Sequence, residues 1–442
     1  MVNYFHYRRS EAVSTLATKP KSLGELIHYH RKKKEMTLSK LQEAVGIDKG
    51  SLSRIENSEV KRPDFHSILS IAAVLDIPHS DIVEKYIEIG HKQEVVYTIL
   101  QNELTTLEHP SLIPKIAAKF LESPNEDSLY LVGKLYRDTA PIANDSIKLS
   151  LYDLILDYSR SHGIMPYIAK SMYQRYLIER NDFSRLKETY YSGKYILHYI
   201  DFLPEDEQLE LHYKLGVHAY NLRFYNESID HCKKVLAEDG GQSPYKIYAL
   251  GVLRDAHFGL EEYKEAEMYS IQYKQFNYPN TQEHVVLMEA LFNAVKGNTT
   301  QAIEQLWSFL DTCSDNFVLS ATRHLIQLYL ELNNIEGVKA VLESSKLNSS
   351  ILDNSNPLTY YGYAEYLRLQ GEYYLAMGDY DNYISHLMEG ALYFSKINDT
   401  IKEKECLNMI VRSHIEQNTP MHKPTLEKLS TYYIKSSKEM ED

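Results

Sequence analysis

Apolar residues recur at three- and four-residue spacing along nearly the whole chain, and no stretch sustains the alternation of a half-buried strand. The pattern predicts an all-α protein. Between Ser22 and Ile89 it divides into five short helices, with breaks near Glu35–Met36, at Gly46, over Ser58–Pro63 and at Ile77–Pro78. Thr37 and Asp48 stand where they can cap two of these helices. Leu38, Leu41 and Val45 then face inward on the first, Leu52 and Ile55 on the second, and Ile47 fills the angle between them. Gly90 is read as part of a longer connecting helix, and Pro110 and Pro114 punctuate the entry to a second region.

From about Ser161 onward the chain repeats itself. The clearest unit is LHYKLGVHAYNLRFYNESIDHCKKVL, in which Leu215-Gly216, Tyr220, Tyr225 and Ser228 fall where a tetratricopeptide unit has its Leu-Gly pair, helix-A aromatic, turn aromatic and small helix-B residue. The turn recurs around Phe183, Tyr263, Gly297, Ile335 and Gly378. The equivalent positions Leu186, Ser228, Ala266, Ala302, Val338 and Tyr383 lie 42, 38, 36, 36 and 45 residues apart, somewhat above the roughly 34 of the consensus. Helix pairs of this kind cannot bury their apolar faces alone, so they must stack, and stacking leaves a groove suited to an extended ligand. Most of the 37 tyrosines are read as wedge-filling residues that keep a hydroxyl at the edge. The expected architecture is an N-terminal helix-turn-helix bundle followed by a right-handed tetratricopeptide-like α-solenoid. Its divisions are an extension over residues 1–20, a DNA-binding domain over 21–89, a helical linker with atypical pairs over 90–160, and a repeat domain over 161–442.

Charge sharpens this division. The first 62 residues carry 13 Lys and Arg against seven acids, a net +6 that leaves −19 for the rest of a chain of formal charge −13. A basic head on an acidic body implies that only the head approaches a polyanion. The second helix of the predicted turn exposes Lys49, Gly50, Ser53 and Arg54 on its first turns, the part that enters a major groove. Lys and Arg match guanine O6 and N7, and Gly50 permits close approach. Lys32, Lys33, Lys34, Ser39, Lys40, Ser51, Lys61 and Arg62 are candidate phosphate contacts. The lysine run is equally suited to a solvated helix end, where cations favour the dipole.

The segment from about Leu23 to Ile89 resembles the Cro/C1-type (XRE) helix-turn-helix family through Leu41, Val45-Gly46-Ile47, Leu52-Ser53-Arg54-Ile55-Glu56, Lys61-Arg62-Pro63 and Ile71-Ala72 with Leu75. Two positions depart from the family pattern: Gln42 replaces the usual small alanine, and Leu38 replaces a polar residue that touches phosphate. Such a head on a tetratricopeptide body resembles the RRNPP family of peptide-pheromone receptors, with length and repeat number nearest the NprR-like members. The resemblance implies a quorum-sensing transcription regulator controlled by a short linear peptide bound in the groove. It also implies Asn side chains, here Asn221 and Asn293, on the peptide main chain, since one amide both donates and accepts. The inner face of each helix A contributes Arg175, Tyr213, Val217, Tyr220, Asp255, Arg323, Gln327 and Arg368. The three arginines could pair with a peptide's acidic groups or free carboxylate, or simply with neighbouring carboxylates of the chain.

Cys232, Cys313 and Cys406 are far apart and without CxxC spacing, so neither a disulfide framework nor a metal site is expected. No run approaches the roughly 20 apolar residues of a membrane span, and the opening MVNYFHYRRS lacks a signal-sequence core. A cytoplasmic protein without cofactors is expected. Enzyme signatures are missing: there is no HExxH, phosphate loop or nucleophile elbow, and His28 and His30 diverge on their helix. The expected partners are double-stranded DNA at an inverted repeat, the peptide and a second copy of the chain. The alternative is a repeat-domain adaptor that captures a response regulator or other protein partner through the segment Gln93 to Tyr158.

Overall fold

The structure, a computed structural model, describes residues 20–438 apart from 125, 239–243, 278–280, 346, 348, 354–355, 417 and 419. The N-terminal extension expected over 1–20 lies outside them except for Pro20. The described residues are helical with short connections and contain no strand, and no helix among them is long and apolar enough to cross a membrane. The chain divides into two compact units, residues 1–168 and 169–442.

The first unit opens with five short helices: α1 (Leu23–Lys33), α2 (Leu38–Val45), α3 (Lys49–Glu56), α4 (Phe65–Val74) and α5 (His79–Ile87). Their starts are local chemistry. Side chains of Ser22, Thr37, Asp48 and Asp64 accept the amides of Glu25, Lys40, Ser51 and Ser67, satisfying donors that a first turn leaves free. Gly46 ends α2 in the left-handed region, at φ 74°. Leu26, Ile27, Leu41, Leu52, Ile68, Ile71 and Ile82 form the core of this bundle.

One buried ion pair ties α1 to α3. Arg31 Nε donates to Glu56 Oε1 at 2.5 Å and Nη2 to Oε2 at 2.7 Å, while Nη1 reaches the Met36 carbonyl at 2.8 Å. Such forked geometry orients as well as attracts. Burial would raise the Glu56 carboxyl, but hydrogen bonds and charge from Arg31 and His28 outweigh it and leave Glu56 below the usual carboxylate range.

Gly90 is not inside a helix, contrary to expectation. α5 ends at Ile87, and α6 (Gln93–Thr106) begins afresh. His91 explains the break: its ring stacks on Tyr86 at 4.0 Å and Nε2 meets the Tyr86 carbonyl at 2.9 Å. The Gly90 carbonyl accepts Arg62 Nε at 2.8 Å instead of an amide of a continuing helix. Helices α7 (Ile113–Leu121), α8 (Ser128–Thr139) and α9 (Asp145–His162) complete the unit around Leu100, Ile116, Phe120, Leu131, Leu135, Leu151 and Ile155. Helix α10 (Met165–Glu179) starts at its end.

The second unit stacks helix pairs: α11 (Leu186–Tyr195) follows α10, then α12 (Glu205–Asn221) with α13 (Tyr225–Glu238), α14 (Pro244–Gly259) with α15 (Tyr263–Tyr273), α16 (Thr281–Val295) with α17 (Thr299–Leu310), α18 (Asp315–Glu331) with α19 (Ile335–Ser344), α20 (Pro357–Ala376) with α21 (Tyr380–Lys396) and α22 (Thr400–Glu416) with α23 (Lys423–Lys438). Ser228, Ala266, Ala302 and Val338 are fully buried, and Leu186 and Tyr383 nearly so. Five residues before each of the last five stands a left-handed turn residue: Arg223, Glu261, Gly297, Asn333 and Gly378. The turn reverses the chain tightly, and the buried residue lets helix B lie against helix A. In the clearest pair the Ser228 hydroxyl donates to the Gly216 carbonyl at 2.8 Å, and a Cβ on Gly216 would meet Cys232 Sγ at 2.7 Å.

Within this unit the first repeat returns to the last. Leu186 shares a core cluster with Tyr383, Ile384 and Leu387, and Phe183 and Leu222 pack against it. The Arg223 guanidinium lies 3.4 Å above the Tyr361 ring, with Nε 3.4 Å from Asp399.

Two predictions test this packing. Ala302→Leu should cost about 1–3 kcal/mol by overpacking the α16–α17 seam, seen as an earlier urea midpoint in the fluorescence of Trp307, the single tryptophan, which lies on α17; an unchanged midpoint would refute the close seam. Glu56→Gln leaves Arg31 buried and unpaired, at about 3–5 kcal/mol, so hydrogen exchange of the α3 amides at pH 7 should accelerate by about 100-fold or more. Because the folded-state pKa of Glu56 is lowered, its stabilisation is present above the ordinary carboxylate pKa and disappears as pH falls through the lowered value. The difference between wild type and variant should therefore shrink on acidification, and a pH-independent difference would sink the assignment.

Candidate nucleic-acid interface and repeat groove

The exposed side of α3 is built by its neighbours. Asp48 Oδ1 accepts the Ser51 amide at 2.9 Å, and bonds from the Ser51 hydroxyl and amide hold the Asp48 carboxyl below its ordinary value. Gln42 Oε1 accepts the Lys49 amide, also at 2.9 Å. The departure from a small residue at position 42 thus supplies a second acceptor to the start of α3. Leu52 and Ile55 are buried, which turns Lys49, Gly50 and Arg54 to solvent and leaves Ser51 and Ser53 half-buried. Arg54 Nη2 donates to Ser51 Oγ at 3.3 Å. Two cations and a residue without a side chain therefore share one exposed surface, the donor set that suits guanine edges.

The remaining cations differ in their freedom. Lys32, Lys33, Ser39, Lys40 and Lys61 are exposed. Lys34 Nζ is held by Asp76 at 2.5 Å and by the Val74 carbonyl at 2.7 Å, and Arg62 by the Gly90 carbonyl.

In the second unit the inner faces of α12, α14, α16, α18 and α20 line a cavity of about 370 Å³. It brings together Tyr220, Asp255 and Arg323 of the residues singled out in the sequence, along with Arg223, Arg254, His284, His324 and Tyr361, which were not. Arg254 is 1% exposed; its Nε donates to Asp255 Oδ1 at 2.7 Å, whereas its buried Nη1 has no hydrogen-bond partner. Burial opposes the Arg254 charge, and Asp255 more than restores it. Burial drives the His324 imidazole well below its ordinary value, so it is the neutral neighbour of Arg323, Nη2 to Nε2 3.1 Å. His284 is lowered for the same reason.

The other groove candidates lie elsewhere. Arg175 pairs with Glu179 at 3.1 Å, Arg368 pairs with Glu365 at 2.9 Å and with Glu372, and Gln327 donates to Glu331 at 3.0 Å. Asn293 Nδ2 donates to Gln305 at 2.8 Å, while the buried Oδ1 of Asn221 has no partner. Tyr213 packs against Tyr245 and Tyr248, and Val217 is half-buried. A signal for Arg254 was present: it stands 38 residues after Gly216, the step from Ser228 to Ala266, at a position that is Ala290 and Ile326 in the next two pairs. Among the described residues, His79, Glu103 and His109 in the first unit are the group whose ligand atoms, all within 4.8 Å of one another, would admit a metal ion.

No curated protein matches the sequence. Similar solved structures include a tetratricopeptide repeat protein from Parabacteroides merdae, at 14% identity and a TM-score of 0.48 over 63% of this chain and 98% of that one. phAimR shares 16% identity at a TM-score of 0.40 over 89% and 97%. PlcR from Bacillus thuringiensis, in complex with the peptide PapR7 and DNA, shares 21% identity at a TM-score of 0.22 over 62% and 99%. Residues 27–86, from within α1 to the end of α5, match the Cro/C1-type helix-turn-helix DNA-binding domain.

Proposed function

We propose that this chain is a cytoplasmic, sequence-specific transcription regulator of the RRNPP type, which binds an inverted-repeat operator as a homodimer and is controlled by a short signalling peptide in the groove of its repeats. The observation that carries the reading is the exposed Lys49–Gly50–Arg54 surface on a Cro/C1-type domain, in the same chain as a repeat unit whose helix-A faces line a cavity. Lys49, Gly50, Ser53 and Arg54 read base edges. Lys32, Lys33, Ser39, Lys40, Ser51 and Lys61 contact phosphates, with Lys34 and Arg62 joining them once released from Asp76 and Gly90. In the groove, Tyr220, Asp255 and Arg323 line the cavity, and Asn221, outside that lining with a buried Oδ1 that has no partner, holds the peptide main chain beside it. Peptide binding shifts the population between states of different DNA affinity, and the coupling is reciprocal, so operator DNA changes peptide affinity by the same factor. A dimer makes half-site spacing, about 34 Å per helical turn, the quantity under control.

Lys49→Ala combined with Arg54→Ala should lower affinity for the operator by about 30-fold or more, since each good base contact contributes about 1–3 kcal/mol and about 1.4 kcal/mol is tenfold. Footprinting of the full chain on DNA upstream of its own gene, at fixed salt and with or without synthetic peptides encoded next to that gene, measures both halves of the proposal. A protected inverted repeat that responds to one peptide is expected. Protection indifferent to every peptide removes the signalling half. No protection at all, with activity in cells unaffected by the double substitution, favours the adaptor that captures another protein.

A further inference from the structure

The cavity of the second unit has an uneven charge balance. Three guanidinium groups line it, from Arg223, Arg254 and Arg323. Asp399 pairs with Arg223 and Asp255 with Arg254, and no carboxylate among the described residues lies within ion-pair distance of Arg323. Its nearest polar neighbour is the neutral imidazole of His324. Three guanidinium nitrogens of the lining, Nε of Arg223, Nη1 of Arg254 and Nε of Arg323, are buried without a hydrogen-bond partner, and of these Arg223 Nε still lies 3.4 Å from Asp399. An arginine 1% exposed with an unused N–H is costly unless something accepts from it. Arg254 also occupies the repeat register of Gly216, Ala290 and Ile326, where its neighbours place small or apolar side chains. Packing alone gives no reason for a charge there.

The same lining includes an apolar set: Phe258, Leu287, Met288, Leu291 and Phe317. The volume, about 370 Å³, is near the lower bound of small-ligand sites, roughly 300 Å³, which admits the end of a chain better than a whole peptide.

We propose that this cavity is a carboxylate subsite that receives the free C-terminus of a short peptide whose last residue is apolar, the carboxylate lying between Arg254 and Arg323 and the side chain against the Phe258–Leu291 wall. A monoanion balances the three arginines against two carboxylates and accepts from the unused N–H groups of Arg254 and Arg323. The inference rests on the peptide-receptor reading, and it adds which end of the peptide is read and by what chemistry. A free carboxylate metabolite has the same chemistry, so the test separates the two.

Full-length protein is incubated with two pools of randomised hexapeptides, identical except that one ends in a carboxylate and the other in an amide, and retained peptides are identified by mass spectrometry. Retention from the acid pool, enriched in apolar last residues and at least tenfold weaker once amidated, is expected. Arg323→Gln, at a half-exposed position, should reduce retention about tenfold while leaving the urea midpoint reported by Trp307 unchanged. Equal retention from both pools overturns the subsite and keeps the peptide reading. If neither pool is retained but N-acetyl-leucine, and not its amide, raises the melting temperature, the carboxylate site stands and the peptide reading falls. Indifference to all of these probes removes both.

Discussion

Close approach of paired helices is the constraint on which the repeat unit depends. Two helices can lie against each other over their full length only if the chain reverses sharply between them and a compact or well-seated side chain occupies the crossing point. The left-handed turns at Arg223, Glu261, Gly297, Asn333 and Gly378 meet the first condition, and Ser228, Ala266, Ala302, Val338 and Tyr383 meet the second. Only two of those turn residues are glycine. Arg223, Glu261 and Asn333 accept a conformation that L-residues seldom adopt, at a cost repaid by the apolar surface that each pair buries. Arg223 gains something further from the strained position, since its side chain reaches Tyr361 and Asp399.

That reach turns an open stack into one whose beginning meets its end. Leu186 near the first turn shares a core with α21, and the inner helices between them surround the cavity. Electrostatics in such a cavity differ from those at the surface, because water screens the charges less. Burial lowers the imidazoles of His284 and His324, which favours their neutral forms. The guanidinium groups cannot respond in that way and must find partners. The contrast explains why the arginines of the lining stand out by their unused N–H groups while the neighbouring His284 and His324 do not.

The head solves an analogous problem with one ion pair. At eight residues α3 is too short to be stable alone, and it is held from below by Leu52 and Ile55 and from the side by Glu56 on Arg31. Its first turn is then supplied with acceptors from Asp48 and Gln42, so its amides do not depend on the outward side chains.

Helix type, the five divisions of the head and the register of the repeats were legible in the sequence because they follow from short-range rules: apolar periodicity, capping residues and turn residues at fixed offsets. The caps at Thr37 and Asp48 and the buried position from Leu186 to Tyr383 are of this kind. The break at Gly90 was not legible, since it depends on Arg62 and His91 arriving from either side. Nor was the choice among arginines. Arg175, Arg254, Arg323 and Arg368 all lie on inner helices, and only the fold decides that two of them pair with carboxylates one turn away on their own helices while Arg254 and Arg323 converge on a shared cavity. Periodicity states which face of a helix turns inward; which side chains meet there is set by helices distant in sequence coming to one cavity, with Arg254 and Arg323 standing 69 positions apart and Arg223 and Tyr361 138 apart, a proximity that exists only once the repeats have stacked.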